Sequence, residues 1–432
     1  MQYYSLNDHS IKADFKAATL AGQAPDGGLY FPENIPAWEK TFIEDLGKLS
    51  KTEIGLRIMQ PFVGDSMSEA KLLKAIEETL AFEFPLKKIN ENIFILELFH
   101  GPTLAFKDLG ARFLSRCMGA FANDNGQKVN ILVATSGDTG GAVADAFHGV
   151  AGTEVFILYP SGKVSPVQEK QLTTYGDNIH AFEVQGDFDD CQCMVKQAFQ
   201  DQELAKKAML TSSNSINIAR WLSQQVYYAL ALAQWQEDTP PVISVPSGNF
   251  GNLCAGLTAW QSGLPARQFI GACNANNAFT SYIGTGVFQP KPSIATLSNA
   301  MDVGVPSNFI RILELFQHEH SNIRKIISSE SISDNETLLT MSNVFHEHKY
   351  IMDPHSAVAY KVLANHMGDH PQQKGILLGT AHPVKFPDVV EKAIGIAPEM
   401  PQSVQNLWGR EKKSIVIPAD FQLFKEKLQK FF

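Results

Sequence analysis

The hydrophobic rhythm of the chain changes between residues 86 and 92. Before it, apolar positions recur at helical spacing, as in Lys71-Leu-Leu-Lys-Ala-Ile-Glu-Glu-Thr-Leu80, which predicts a mostly helical lead-in over residues 1–85. After it come short apolar runs: Ile93–Leu98, Val129–Ala134, Glu154–Tyr159, Ile179–Val184, Val242–Val245, Phe269–Ala272 and Gly375–Leu378. Stretches with a helical period lie between them, among them Ala111–Arg116, Gly141–Phe147, Pro166–Thr173 and Leu253–Trp260. Strand followed by helix followed by strand predicts an α/β fold with parallel sheets and helices on both faces. We divide the chain into a lead-in at 1–85, two α/β subdomains over 86–385, and a segment 386–432 that completes the larger of them. Ligands of such sheets bind at the carboxyl ends of the strands, so the residues just after each strand are the place to look for chemistry.

Composition narrows the class. At 432 residues the chain exceeds one ordinary core, and 44% hydrophobic with 19% charged residues is the balance of a globular protein. The formal charge of -9 argues against a nucleic-acid or anionic-membrane partner, although a few local donors can still hold a phosphate. The N-terminus shows no basic start or apolar core of a secretory signal, and no apolar run reaches the length of a membrane span. Five scattered cysteines, Cys117, Cys191, Cys193, Cys254 and Cys273, fit reduced thiols and a cytoplasmic setting. No metal site is expected. Cys191-Gln-Cys193 lacks zinc spacing, and His318-Glu-His320 and His346-Glu-His348 read as solvated faces of helix-like stretches. Asp353-Pro-His-Ser356 reads as a turn.

Four post-strand loops carry candidate chemistry. His100-Gly-Pro-Thr-Leu-Ala-Phe-Lys-Asp-Leu-Gly110 puts Lys107 near a helix start beside Phe106. Both surroundings disfavour the ammonium form and would suit a Schiff-base nucleophile, but the residues alone favour a surface lysine paired with a neighbouring acid. Thr135-Ser-Gly-Asp-Thr-Gly-Gly141 and Pro246-Ser-Gly-Asn-Phe-Gly-Asn252 are glycine-rich strand-to-helix turns. Free amides and hydroxyls there form anion cradles, or simply caps; neither loop has a Walker lysine or a full dinucleotide fingerprint. Gly379-Thr-Ala-His-Pro383 offers the neutral hydroxyl of Thr380, and a His382 that is either structural or catalytic. Together the loops suggest one phosphorylated cofactor and one anionic substrate, without naming a reaction.

The same segments resemble the threonine synthase family of fold-type II pyridoxal-phosphate enzymes. The resemblance rests on Leu98–Asp108, Ala134–Gly140, Ile157–Pro160, Gly162–Pro166, Phe188–Gln192, Asn214–Asn217, Pro246–Gly251, Leu297–Asp302 and Thr380–Pro383. Asp26-Gly-Gly-Leu-Tyr-Phe-Pro32 extends it to the lead-in, so it spans nearly the whole chain. It implies a tryptophan-synthase-β-like fold with pyridoxal phosphate between two parallel-sheet domains. It also implies conversion of O-phospho-L-homoserine and water into L-threonine and phosphate, the last step of threonine biosynthesis, by a monomer or small homo-oligomer. By the same resemblance Lys107 would carry the cofactor, Gly248, Asn249, Phe250, Gly251 and Asn252 would cradle its phosphate, and Thr380 would meet the pyridine nitrogen. Thr135, Ser136 and Thr139 would meet substrate, with Asp138 closest to the cofactor ring. Lys163, Ser215, Asn217 and Arg220 are the candidates for the substrate phosphate. Asn252 stands where Asp is equally expected, a change that leaves an amide cradle intact. Lys107, once freed by substrate, would act as base at Cα and help move a proton at Cβ. The nearest rival is a serine or threonine dehydratase on the same fold, which needs no second phosphate site. A cofactor-free binding protein on this fold would tolerate loss of Lys107.

Overall fold

The computed structural model describes residues 1–125 and 128–432, and within them the strands form three sheets. The larger has the order Ile327–Ser331, Gln268–Cys273, Val242–Pro246, Gly375–Gly379, Ile93–Glu97, Leu86–Lys88. All its neighbours are parallel except the last pair, where the edge strand Leu86–Lys88 runs antiparallel. The second sheet is parallel throughout, in the order Ser414–Pro418, Ile179–Gln185, Thr153–Pro160, Val129–Ala134, Met209–Ser212. Helices cover both sheets, as the alternation of short apolar runs and helical stretches predicts. The strand Val129–Ala134 and the helix Pro166–Thr173 keep their predicted bounds. That helix is fixed by a capping box, Ser165 with Gln168, and by Pro166 in its first turn.

The lead-in is mostly helical, as predicted, and also holds a small sheet: Gln2–Ser5 pairs antiparallel with Lys12–Asp14 and with Tyr30–Pro32, strands too short to show a period. One predicted assignment needs correction. The segment 386–432 does not complete the larger sheet. Its helix Pro387–Ile394 packs beside the helix Asp334–His348, but its strand Ser414–Pro418 closes the edge of the second sheet. The helix Phe421–Leu428 then covers that sheet: Phe424 is fully buried and meets the ring of Phe182 edge-on at 5.2 Å. One such buried aromatic contributes about 2 to 3 kcal/mol, enough to anchor a terminal helix.

Two smaller readings also change. Asp353 is not in a free turn. It caps the helix Pro354–Asp369, and its Oδ2 lies 2.7 Å from Nδ1 of the buried His355, whose Nε2 accepts from the Ala300 amide at 3.1 Å. His318 has a left-handed φ of 59° and precedes the helix His320–Ile326, so His318-Glu-His320 spans a turn and a helix start. Among the described residues no group of His, Cys, Asp and Glu could hold a metal ion, and no helix is long and apolar enough to cross a membrane.

Candidate active site

Parallel register brings the carboxyl ends of Ile93–Glu97, Gly375–Gly379 and Val242–Pro246 to one edge of the larger sheet. The lysine loop and the Thr380 loop are stitched together there. The Phe106 amide donates to the Thr380 carbonyl at 2.9 Å, and Ala105 bridges Ala381. The lysine loop turns through Leu104, which has a left-handed φ of 59°. Asp108 accepts from the Thr103 amide at 2.9 Å and from its hydroxyl. Burial raises the Asp108 carboxyl to about 6. This fold places Lys107 at the first residue of the helix Lys107–Asn125, half-buried, with Nζ 5.9 Å from the centre of the Phe106 ring. Burial lowers the Lys107 amine to about 8; Asp138 opposes that shift, and the nearby cations Arg220 and Lys385 add to it. Lys107 is therefore the lined, deprotonatable lysine and not the surface ion pair.

The first anion loop follows Val129–Ala134 at the edge of the second sheet. The Thr135 hydroxyl accepts from the amides of Gly137 and Gly140 at 2.9 and 2.8 Å, so this side chain is occupied as the loop's internal cap. Gly137 has φ +133°, and a Cβ there would lie 2.4 Å from the Gln168 amide carbon, so the turn admits only glycine. The hydroxyls of Ser136 and Thr139 have no partner among the described residues and stay available to a ligand. Asp138 is buried: its Oδ1 lies 2.9 Å from Lys385 Nζ and 2.9 Å from Gln168 Nε2. Burial works to raise the Asp138 carboxyl, but Lys385, then Lys107 and the Gln168 hydrogen bond, outweigh it and hold the group well below the usual carboxylate range.

The second loop precedes the helix Gly251–Ser262. Among the described residues, none of the amides of Gly248, Asn249, Phe250, Gly251 and Asn252 donates to a protein acceptor. A Cβ on Gly248 would meet the Met301 Cα at 2.7 Å, and Phe250 holds a left-handed φ of 59°. Five successive amides without a protein acceptor at a helix start, in a turn that carries a left-handed Phe250, fit the phosphate of pyridoxal phosphate. The Phe250 ring is turned into the core against Phe279, centroids 4.5 Å apart, and the Asn252 side chain closes the loop onto the Pro246 carbonyl at 2.8 Å. These two residues can therefore offer only their backbone.

Two of the substrate-phosphate candidates are committed elsewhere. The Asn217 amide donates to the carbonyls of Thr19 and Ser212 at 2.8 and 3.3 Å and caps the helix Ile218–Leu222. The Ser215 hydroxyl accepts from Asn249 Nδ2 at 2.8 Å and from Asn308 Nδ2 at 3.2 Å, which puts it against the Pro246–Asn252 loop. Arg220 is buried and donates to the Ser213 carbonyl, its one protein acceptor among the described residues. Lys163 is exposed in the loop after Thr153–Pro160. His382 accepts from the Val384 amide at 3.1 Å through Nδ1, and burial lowers its imidazole to about 4, so it is a neutral cap at neutral pH.

Sequence reasoning missed two cations. Lys385 is fully buried, and Arg311 is fully buried beneath the 215–217 segment. Arg311 donates to the carbonyls of Tyr30, Ser215 and Ile216 and to Asn308 Oδ1, and lies 4.8 Å from the Trp221 ring. Asn308 in turn donates to the Asn249 carbonyl at 3.0 Å, so Arg311 ties the lead-in to the Pro246–Asn252 loop. The signal for both was a cation set between apolar residues, Val384-Lys-Phe386 and Ile310-Arg-Ile312.

Comparison with known proteins agrees with this geometry. The profile of the family described as "Pyridoxal-phosphate dependent enzyme" matches residues 75–379, that of "Threonine synthase N terminus" residues 2–80, and that of "Threonine synthase, C-terminal" residues 356–427. Threonine synthase of Serratia marcescens is 43% identical over 423 residues, covering 98% of this chain and 97% of that protein. That of Escherichia coli (strain K12) is 42% identical over the same length, with coverage of 98% and 97%. The crystal structure of threonine synthase from Escherichia coli superposes with a TM-score of 0.94 at 41% identity, covering all of both chains. The pyridoxal-phosphate-bound threonine synthase from Brucella melitensis gives 0.93 at 35% identity, covering 100% of this chain and 99% of that one. A threonine deaminase from Solanum lycopersicum, at a TM-score of 0.54 and 16% identity over 79% of this chain and 95% of that one, shares the fold alone. The chain belongs to the threonine synthase family of pyridoxal-phosphate-dependent enzymes.

Proposed function

We propose that the chain converts O-phospho-L-homoserine and water into L-threonine and inorganic phosphate. The observation that carries this reading against an eliminating enzyme acting on serine is Arg220. It is a buried cation near Lys107 that donates to one backbone acceptor and forms no salt bridge among the described residues, Asp108 bearing on it only from beyond ion-pair distance, while the amides of residues 248 to 252 offer a separate place for the cofactor phosphate. A buried cation of that kind calls for a second anion, and a phosphorylated substrate brings one.

In this reading Lys107 holds pyridoxal phosphate, the amides of residues 248 to 252 take its phosphate, and Thr380 meets its ring nitrogen. The bound cofactor supplies the electron sink for carbanion chemistry. Ser136 and Thr139 orient the substrate carboxylate. Arg220 binds the leaving phosphate, with Lys163 at the mouth. Lys107 takes the Cα proton and helps move the Cβ proton as phosphate leaves Cγ with the C–O bond's electron pair; water then adds at Cβ, and protons return to Cγ and Cα, a task that an amine held near 8 suits at neutral pH.

The test compares O-phospho-L-homoserine with L-serine as substrates for the cofactor-loaded chain and for Arg220→Gln. Turnover of the phosphorylated substrate, with KM raised at least ~10-fold in the variant and cofactor affinity unchanged, supports the reading. Ammonia from serine, or an unchanged KM in Arg220→Gln, overturns it.

A further inference from the structure

Lys385 lies in the short turn Pro383–Lys385 on the larger-sheet side of the cleft, and its three N–H groups are all engaged. It reaches Asp138 Oδ1 at 2.9 Å, the Thr103 carbonyl at 2.8 Å and Gln171 Oε1 at 2.8 Å. These partners belong to three different pieces: the anion loop of the second sheet, the lysine loop, and the helix Pro166–Thr173. Gln171 also donates to the Thr103 carbonyl at 3.0 Å, which closes the cluster. With no donor left, Lys385 cannot itself bind a ligand. Asp138 can: Oδ1 is taken by Lys385 and Gln168, and Oδ2 has no hydrogen-bond partner among the described residues.

We propose that Lys385 is a positioning residue for the reaction: it fixes Asp138 across the two sheets by one carboxylate oxygen and leaves the other oxygen free to accept an amine N–H. A carboxylate at that place favours the protonated amine, and the Lys385 ammonium behind it favours the neutral one, so the pair sets the charge of Lys107 by partial cancellation. The charged groups that bear on Lys107 are Asp138, Arg220 and Lys385; Asp108, whose nearest charges include Asp145 and Lys385, faces the same cluster from the lysine helix. Of these, Lys385 and Asp138 are the two that form an ion pair. The inference rests on the reading of this cleft as the site where Lys107 meets pyridoxal phosphate, but not on which substrate is turned over.

The experiment follows the pH dependence of the rate at which the full chain takes up pyridoxal phosphate, read as the growth of its visible absorbance, which requires the neutral Lys107 amine. The wild-type midpoint is expected near 8. Lys385→Met should raise it by about one pH unit, Asp138→Asn should lower it by a similar amount, and the double variant, from which both charges are gone, should return close to wild type. A purely structural Lys385 would slow uptake in every variant without moving the midpoint. If Lys385→Met alone does not fold, Asp138→Asn is compared with the double variant, where a rise is expected and equal midpoints overturn the proposal. So does a midpoint that moves in Asp138→Asn but not on loss of Lys385. Absence of phosphohomoserine turnover by the unsubstituted, cofactor-loaded chain, with these shifts intact, would refute the proposed function and leave this inference standing.

Discussion

Removal of Arg311 is a sharp probe of how the cofactor cradle is held. Arg311→Met keeps much of the side-chain volume and removes every donor. Four acceptors then lose their partner: the carbonyls of Tyr30, Ser215 and Ile216, and Asn308 Oδ1. At about 1 kcal/mol for each acceptor left without its donor the loss is about 4 kcal/mol. Part of it is recovered because no cation is left buried without a carboxylate, so the net expectation is about 2 to 3 kcal/mol. The local consequence follows through Asn308, which loses its anchor and carries the Asn249 carbonyl at 3.0 Å. Cofactor affinity should therefore fall about 10-fold, a second effect that a remote core mutation would not produce. Urea unfolding followed by tryptophan fluorescence gives the first quantity, and titration with pyridoxal phosphate gives the second. Arg311→Lys, which keeps the charge but fewer bonds, should fall between. A variant with the wild-type unfolding midpoint and wild-type cofactor affinity would refute the claim that Arg311 supports the cradle.

Two further outcomes are expected. Gly248→Ala would put a Cβ 2.7 Å from the Met301 Cα, a backbone atom that cannot swing away; pyridoxal phosphate should bind at least ~10-fold more weakly, measured by equilibrium dialysis, with little change in the fold by circular dichroism. His382, lowered to about 4 by burial, stays neutral in the folded chain while the unfolded chain takes up its proton near pH 6.5. The unfolded state thus binds more protons within that window, and stability should fall as pH drops from 6.5 towards 4, by at most about 3 kcal/mol. His382→Asn, which keeps a cap acceptor for Val384, should flatten this slope in thermal unfolding at pH 7 and pH 5; an unchanged slope would assign the acid sensitivity to other groups.

The parts of this fold legible in the sequence were those with a strong local signal. Val129–Ala134 is buried at every position and reads as an apolar run broken only by Asn130, the mark of a central parallel strand. Pro166–Thr173 announces itself through Ser165, Pro166 and Gln168. The edge strands gave no such signal. Leu86–Lys88 carries two lysines, and Ser414–Pro418 leaves Val416 56% exposed, so both look like surface until a neighbouring strand is known. The site divided in the same way. Loops built of glycine, hydroxyl and lysine after apolar runs pointed to Lys107, Asp138 and Gly248. Charge partners from distant segments did not, because nothing local links Lys385 to Asp138 or Arg311 to Tyr30. Asn217 and Thr135 show the converse: polar residues in a motif whose side chains are used to cap the turns that build the site.

The most direct test of the proposed reaction is to supply the cofactor-loaded chain with O-phospho-L-homoserine and measure L-threonine and inorganic phosphate in the same reaction. The account predicts equal amounts of both, and neither from Lys107→Ala. Phosphate accompanied by a keto acid and ammonia in place of threonine, or threonine formed without Lys107, would contradict it.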